Sequence, residues 1–146
     1  MAITQAICNS FKQQLFQAEH NFNTIGGGGQ TFKLALYVSS ATLDASTTAY
    51  TTSGEVSSSG TNYTAGGATL TSLGVSLSSA TAFLDFNDVT FVNVTLSARG
   101  CLIYNSSNVD KAVAVFDFGA DKTATSGDFT IIFPAATAST AVIRLV

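Results

Sequence analysis

The sequence predicts an all-β domain, an antiparallel β-sandwich of jelly-roll-like type that carries one N-terminal amphipathic α-helix. Three observations predict it. Apolar residues recur every four positions before Gly26-Gly27-Gly28-Gly29 and every second position after it. Short apolar runs then follow at close spacing, separated by Gly, Asn and Asp turns. Thr and Ser make up about a quarter of the chain, a composition suited to strands and their turns.

The helix comes first. Ile3, Ile7, Phe11 and Leu15 lie four apart, with Phe16, Ala18 and Phe22 nearby, while Lys12, Gln13, Gln17 and Glu19 fall largely on the other side. About five turns are expected, with Thr4 as a cap and Asn21 or Asn23 at the end. The four glycines break this pattern. They lack the spacing of a phosphate-binding loop and follow a helix instead of a strand, so they read as a flexible hinge. The chain divides into a helix at 1–25, a hinge at 26–30 and a sandwich at 31–146, together one domain.

Phe32, Leu34, Leu36 and Val38 alternate with Thr31, Lys33, Ala35 and Tyr37, a strand. Residues 39–67 are rich in Ser, Thr, Gly and Tyr and read as a long surface arm, with at most one short edge strand, that touches a neighbour. Strands follow at 68–78, 81–86, 89–98, 100–104, 111–118, 128–133 and 140–146. Turns are expected at Asn87-Asp88, Arg99-Gly100, Asn105 to Asn108, Gly119 to Gly127 and Pro134. The single proline sits just after an apolar strand, where it removes no ladder bond.

Charge narrows the functional classes. Charged residues are 10% of the chain, against about 25% in an average soluble domain, and the shortage points to assembly with other molecules. Net charge is −3 and the six basic residues are scattered, which argues against a nucleic-acid partner. No apolar run approaches the roughly 20 residues of a membrane span, so no membrane partner is expected. The first residues carry no basic and apolar leader pattern, so export by the usual route is not expected.

Candidate chemistry is sparse. His20 is the only histidine, and any triad or Cys–His pair would have to be built on it; near a helix end it reads instead as solvent-facing or bonded to helix carbonyls. Cys8 and Cys101 stand apart, outside any CxxC pattern, and read as buried reduced thiols. Asp85, Asp88, Asp117, Asp121 and Asp128 could form a two-acid site or a weak calcium site, but turn aspartates usually bond their own backbone. No catalytic, metal or cofactor residues are therefore assigned, and the chain is read as a non-enzyme without a cofactor. The Asn62, Asn93 and Asn105 sequons are ascribed to the abundance of Ser and Thr. Tyr50 and Tyr63, in the polar arm, are the preferred contact residues for a partner or a glycan, with ordinary edge packing an equal alternative. Ile7, Phe11 and Leu15 complete the expected interface.

One resemblance spans nearly the whole chain. The series Thr4 to Lys12, Phe32-Lys33-Leu34-Ala35-Leu36-Tyr37, Ser39 to Leu43, Tyr63 to Gly67, Ala98 to Asn105 and Ala112 to Gly119 resembles small virion proteins of tailed bacteriophages. It implies a structural component of the particle, assembled in the host cytoplasm, with no active site to transfer. By analogy of class, the expectation is a capsid cement or decoration protein. It would be a homo-oligomer, with a trimer favoured, and its partners the major capsid protein or other virion proteins. A tail or head–tail joining ring protein and a host-glycan-binding β-module are the alternatives.

Overall fold

The structure is a computed structural model that describes residues 2–146. Its architecture is all-β and sandwich-like: two antiparallel sheets and one short helix near the N-terminus. The larger sheet has the order β1 (Ala6–Ile7), β7 (Lys111–Ile131), β6 (Val89–Asn105), β2 (Phe32–Tyr37), β3 (Ala68–Thr69). The smaller has the order β4 (Ser72–Ser78), β5 (Thr81–Phe86), β8 (Ile143–Leu145).

The core lies between the sheets and is built on phenylalanines. Phe32 of β2 stacks on Phe22 with ring centroids 4.2 Å apart, and Phe86 of β5 approaches Phe32 at 6.1 Å and Phe133 at 6.0 Å. Offset and tilted aromatic pairs of this kind add attraction beyond the area they bury. The middle of the larger sheet is sealed on both faces. Leu34 to Tyr37, Cys101 to Tyr104 and Ala112 to Val115 are all buried. The second cover is the 39–67 arm, whose Ala41, Leu43, Val56 and Tyr63 are buried. The arm folds back on its own sheet instead of reaching outward.

The expected helix at 1–25 shrinks to α1 (Asn9–Phe16). Its first residues are taken by the sheet: Ala6 and Ile7 pair with Val115 and Ala114, and Ile3 bridges Leu43 in parallel. Thr4 donates its N–H to Leu43 O instead of capping a helix. The series Ile3, Ile7, Phe11, spaced by four, therefore runs from an isolated bridge through β1 into the helix. The helix ends early because Ala18 adopts φ 56°, with Ala18 N–H on Leu15 O and Glu19 N–H on Gln14 O, a Schellman closure made without glycine.

The glycines at 26–29 form a closed turn, not a hinge. A 3₁₀ turn (Ile25–Gly27) leads to Gly28 at φ 84°, and Asn21 ties the two ends by accepting Gln30 N–H and donating to Gly28 O. At Gly29 an added Cβ would lie 1.7 Å from Asn23 O, so the approach itself demands glycine.

Two expected turns are continuous strand. β6 runs through Arg99-Gly100, where Gly100 pairs with both Tyr37 and Asp117. A Cβ there would stand 2.4 Å from Phe116 O and 3.0 Å from Ile3, so this glycine admits close packing and makes no bend. β7 likewise runs through Gly119 to Gly127, absorbing extra residues as bulges: Ala98 pairs with Lys122 while Gly100 pairs with Asp117. The predicted 68–78 strand, conversely, splits into β3 and β4, which belong to different sheets.

Candidate functional site

Two of the four tyrosines bond one half-buried carboxylate, Glu55, and the other two bond backbone carbonyls of the same arm. The arm reaches it because Gly54 turns at φ 77° against Ala41, which brings Glu55 into a bridge with Tyr37. Glu55 Oε1 accepts the Tyr63 hydroxyl at 2.8 Å and the Gly66 N–H at 2.7 Å; Oε2 accepts the Tyr50 hydroxyl at 2.6 Å. Tyr63 Oη also accepts the buried Leu36 N–H at 3.0 Å. Tyr37 donates to Thr51 O and Tyr104 to Gly66 O, and Tyr50 stacks on Tyr104 at 4.8 Å. Burial pushes all four phenols up, Tyr104 to about 12, so each stays a donor. The cluster is a latch of charge-assisted bonds that fastens the arm to β2 and β6.

This placement corrects part of the expected interface. Tyr63 is 2% exposed and serves the latch, and half-buried Tyr50 has its hydroxyl committed to Glu55. Phe11 is 1% exposed, packed edge-on against Phe22. Of the helix residues proposed for contact, Leu15 is half-buried and Ile7 is 37% exposed, as a strand residue. The helix face that sequence spacing missed is Phe16, 96% exposed.

His20 is buried, contrary to the solvent-facing reading. Asn105 Oδ1 accepts Ser107 N–H, which leaves its Nδ2 to donate to His20 Nδ1 at 3.0 Å and Gln30 Oε1 at 2.9 Å. His20 Nδ1 therefore accepts, Nε2 holds the proton, and Gln14 Oε1 receives it at 2.8 Å. Burial lowers the imidazole pKa below its ordinary value. The network ties α1 to the β6–β7 turn.

The carboxylates are spread through the fold as backbone pins. Asp117 accepts the Gly119 N–H and the Arg99 Nε–H, which in that order hold its pKa low. Asp128 accepts Asn93 N–H and Asp88 accepts Phe133 N–H, while Asp121 is exposed. Asp85 is 1% exposed; one oxygen accepts Phe86 N–H, the other has no hydrogen-bond partner among the described residues, and burial pushes its pKa up. Among the described residues no group of three or more His, Cys, Asp or Glu side chains gathers where it could hold a metal. Cys8 and Cys101 are both free and buried, and burial raises the Cys8 thiol to about 11.

An organised apolar surface lies at the free end of the small sheet. The register places Val75, Leu84 and Ile143 side by side on one face, followed by Leu77, Ala82 and Leu145. Leu84 and Ile143 are buried against the core, but Val75, Leu77 and Leu145 are exposed, Leu77 by 73%. The same face continues into a groove of about 460 Å³ whose other wall is Leu15, Ala18 and Phe22. The alternation of Val75 and Leu77 with Ser76 and Ser78 signals this face in the sequence; how far the core runs beneath it is not encoded locally.

An all-β two-sheet domain with a short N-terminal helix is the class these features define. No family model matches the chain, and no characterised protein or solved structure shows significant similarity to it.

Proposed function

We propose that the chain is a structural component of a tailed-phage particle: a capsid cement or decoration protein that oligomerises, as a trimer, and stabilises the head by bridging capsid subunits. The observation that carries the assembly part is the small sheet's apolar face, which runs past the core and leaves Val75, Leu77 and Leu145 in solvent. Organised apolar patches on soluble proteins commonly mark contact sites. A second support is the low charge, 10% of residues, which suits a body whose surface is covered by neighbours. The phage assignment itself rests on the resemblance of the sequence series described above.

The experiment is electron microscopy of particles with and without the protein. The expected result is outer head density that disappears in its absence, together with lower resistance to heat or osmotic shock. Six or twelve copies in a ring at one vertex would replace the cement reading with the joining-protein reading. A protein that stays monomeric and never enters particles would overturn both.

A further inference from the structure

We infer that the cleft between the 58–64 loop and the bulged part of the β6–β7 ladder is a binding site for a neutral carbohydrate. The cleft holds about 520 Å³, inside the range of small-ligand sites, and among the described residues no charged side chain lines it. Its walls are hydroxyls and carboxamides: Ser58, Asn62, Thr64, Asn93, Thr95 and Ser126.

Two features make this a prepared surface. The backbone around it is fixed from within. Asn62 Nδ2 donates to Asn93 O at 3.1 Å, Thr95 N–H to Thr61 O at 2.9 Å, and Ser126 N–H to Thr95 Oγ1 at 2.9 Å. Asp128 Oδ1 takes the Asn93 N–H at 3.0 Å. Meanwhile the side chains of Ser58, Thr64, Asn93 and Ser126 make no hydrogen bond to another described residue and remain available to a ligand. Three non-glycine residues of the cleft also hold left-handed backbone: Asn62 at φ 64°, Asn93 at φ 52° and Ser126 at φ 46°. Asn adopts this region readily, and at the ladder bulge the two left-handed residues Asn93 and Ser126 set the direction of the cleft wall.

The lining selects the chemistry. Without Lys or Arg it offers nothing to a phosphate or carboxylate, and with Tyr63 only 2% exposed it offers no ring face to an aromatic or lipid. Neutral donors and acceptors on a fixed backbone match a polyol. Without a stacking platform affinity is weak, on the order of millimolar. This site is separate from the Tyr50 and Tyr63 contacts considered from sequence, whose hydroxyls belong to the Glu55 latch.

The test is an amide-resolved NMR titration of the full chain with glucose, galactose, mannose and N-acetylglucosamine, and with inorganic phosphate. The expected result is saturable shifts confined to residues 58–64, 93–95 and 126 for at least one sugar, and none for phosphate. Asn93→Gly keeps the left-handed backbone while deleting the carboxamide; it should weaken that binding by tenfold or more, with the rest of the spectrum unchanged. Flat titrations across the sugars, equal binding by Asn93→Gly, or phosphate shifts in the cleft would each overturn the site. The readout needs no particle, so it fails or succeeds independently of the virion role.

Discussion

His20 is where one residue's protonation reaches the whole fold. Its Nδ1 is an acceptor facing an amide donor, so a proton added there meets Asn105 Nδ2 head-on. The folded imidazole has a lowered pKa, whereas the unfolded one titrates near 6.5. The unfolded state then binds more protons through this window, so stability is fully present above about pH 6.5 and falls as pH drops through and below it. Thermal melts between pH 7.5 and 5.5 should show a declining midpoint. His20→Gln should cost about 1–3 kcal/mol through its lost hydrogen bonds and remove most of that slope. A wild-type midpoint that is level across the window would reject a lowered folded-state pKa for His20. None of this was legible in the sequence, because Gln14, Gln30 and Asn105 are ordinary polar residues until the fold brings them together. The tyrosines were opaque for the same reason: Glu55 sits in a stretch of Ser, Thr and Gly that gives no sign of an organising carboxylate.

At the scale of elements, the strands were readable wherever side chains alternate, as in β2 and β5, whose observed limits Phe32–Tyr37 and Thr81–Phe86 fall on the predicted runs. Glycine was the ambiguous letter. A glycine that turns a chain and one that lets two backbones touch look alike in sequence, and Gly100 is of the second kind. Gly100→Ala would drive its Cβ into Phe116 O, a backbone atom that cannot rotate away, and into Ile3, which anchors the N-terminal segment. The expected cost is about 1–3 kcal/mol, as for other overpacked sites. Equilibrium denaturation should read it, and hydrogen exchange should show Ala6 and Ile7 losing protection before the centre of β6. A variant as stable as wild type would mean that the strand passes Arg99-Gly100 without needing glycine. The helix boundary failed for a related reason: a spacing of four between Ile3 and Ile7 is compatible with a turn of helix, but backbone ladder bonds at Ala6–Ile7 prevailed.

For the whole molecule, the decisive question is what covers the free end of the small sheet. Val75 and Leu77 are not part of the buried core: they are 53% and 73% exposed, Val75 on the rim of the groove that Phe22 and His20 also line. Replacing both residues by serine should therefore change monomer stability by no more than about 0.5 kcal/mol each, the usual range for exposed sites. Association is a different matter. If copies meet through this face, each apolar side chain removed forfeits about 1.5–3 kcal/mol of burial, so the double variant Val75→Ser/Leu77→Ser should associate at least about a hundredfold more weakly. Sedimentation velocity over a range of concentrations measures both proteins directly, and a melt of the monomer controls for folding. Serine preserves the strand while removing the apolar surface, which separates loss of contact from loss of sheet. Wild-type chain that remains monomeric at every concentration, or a double variant that assembles as well as wild type, would leave this face without a role in self-assembly.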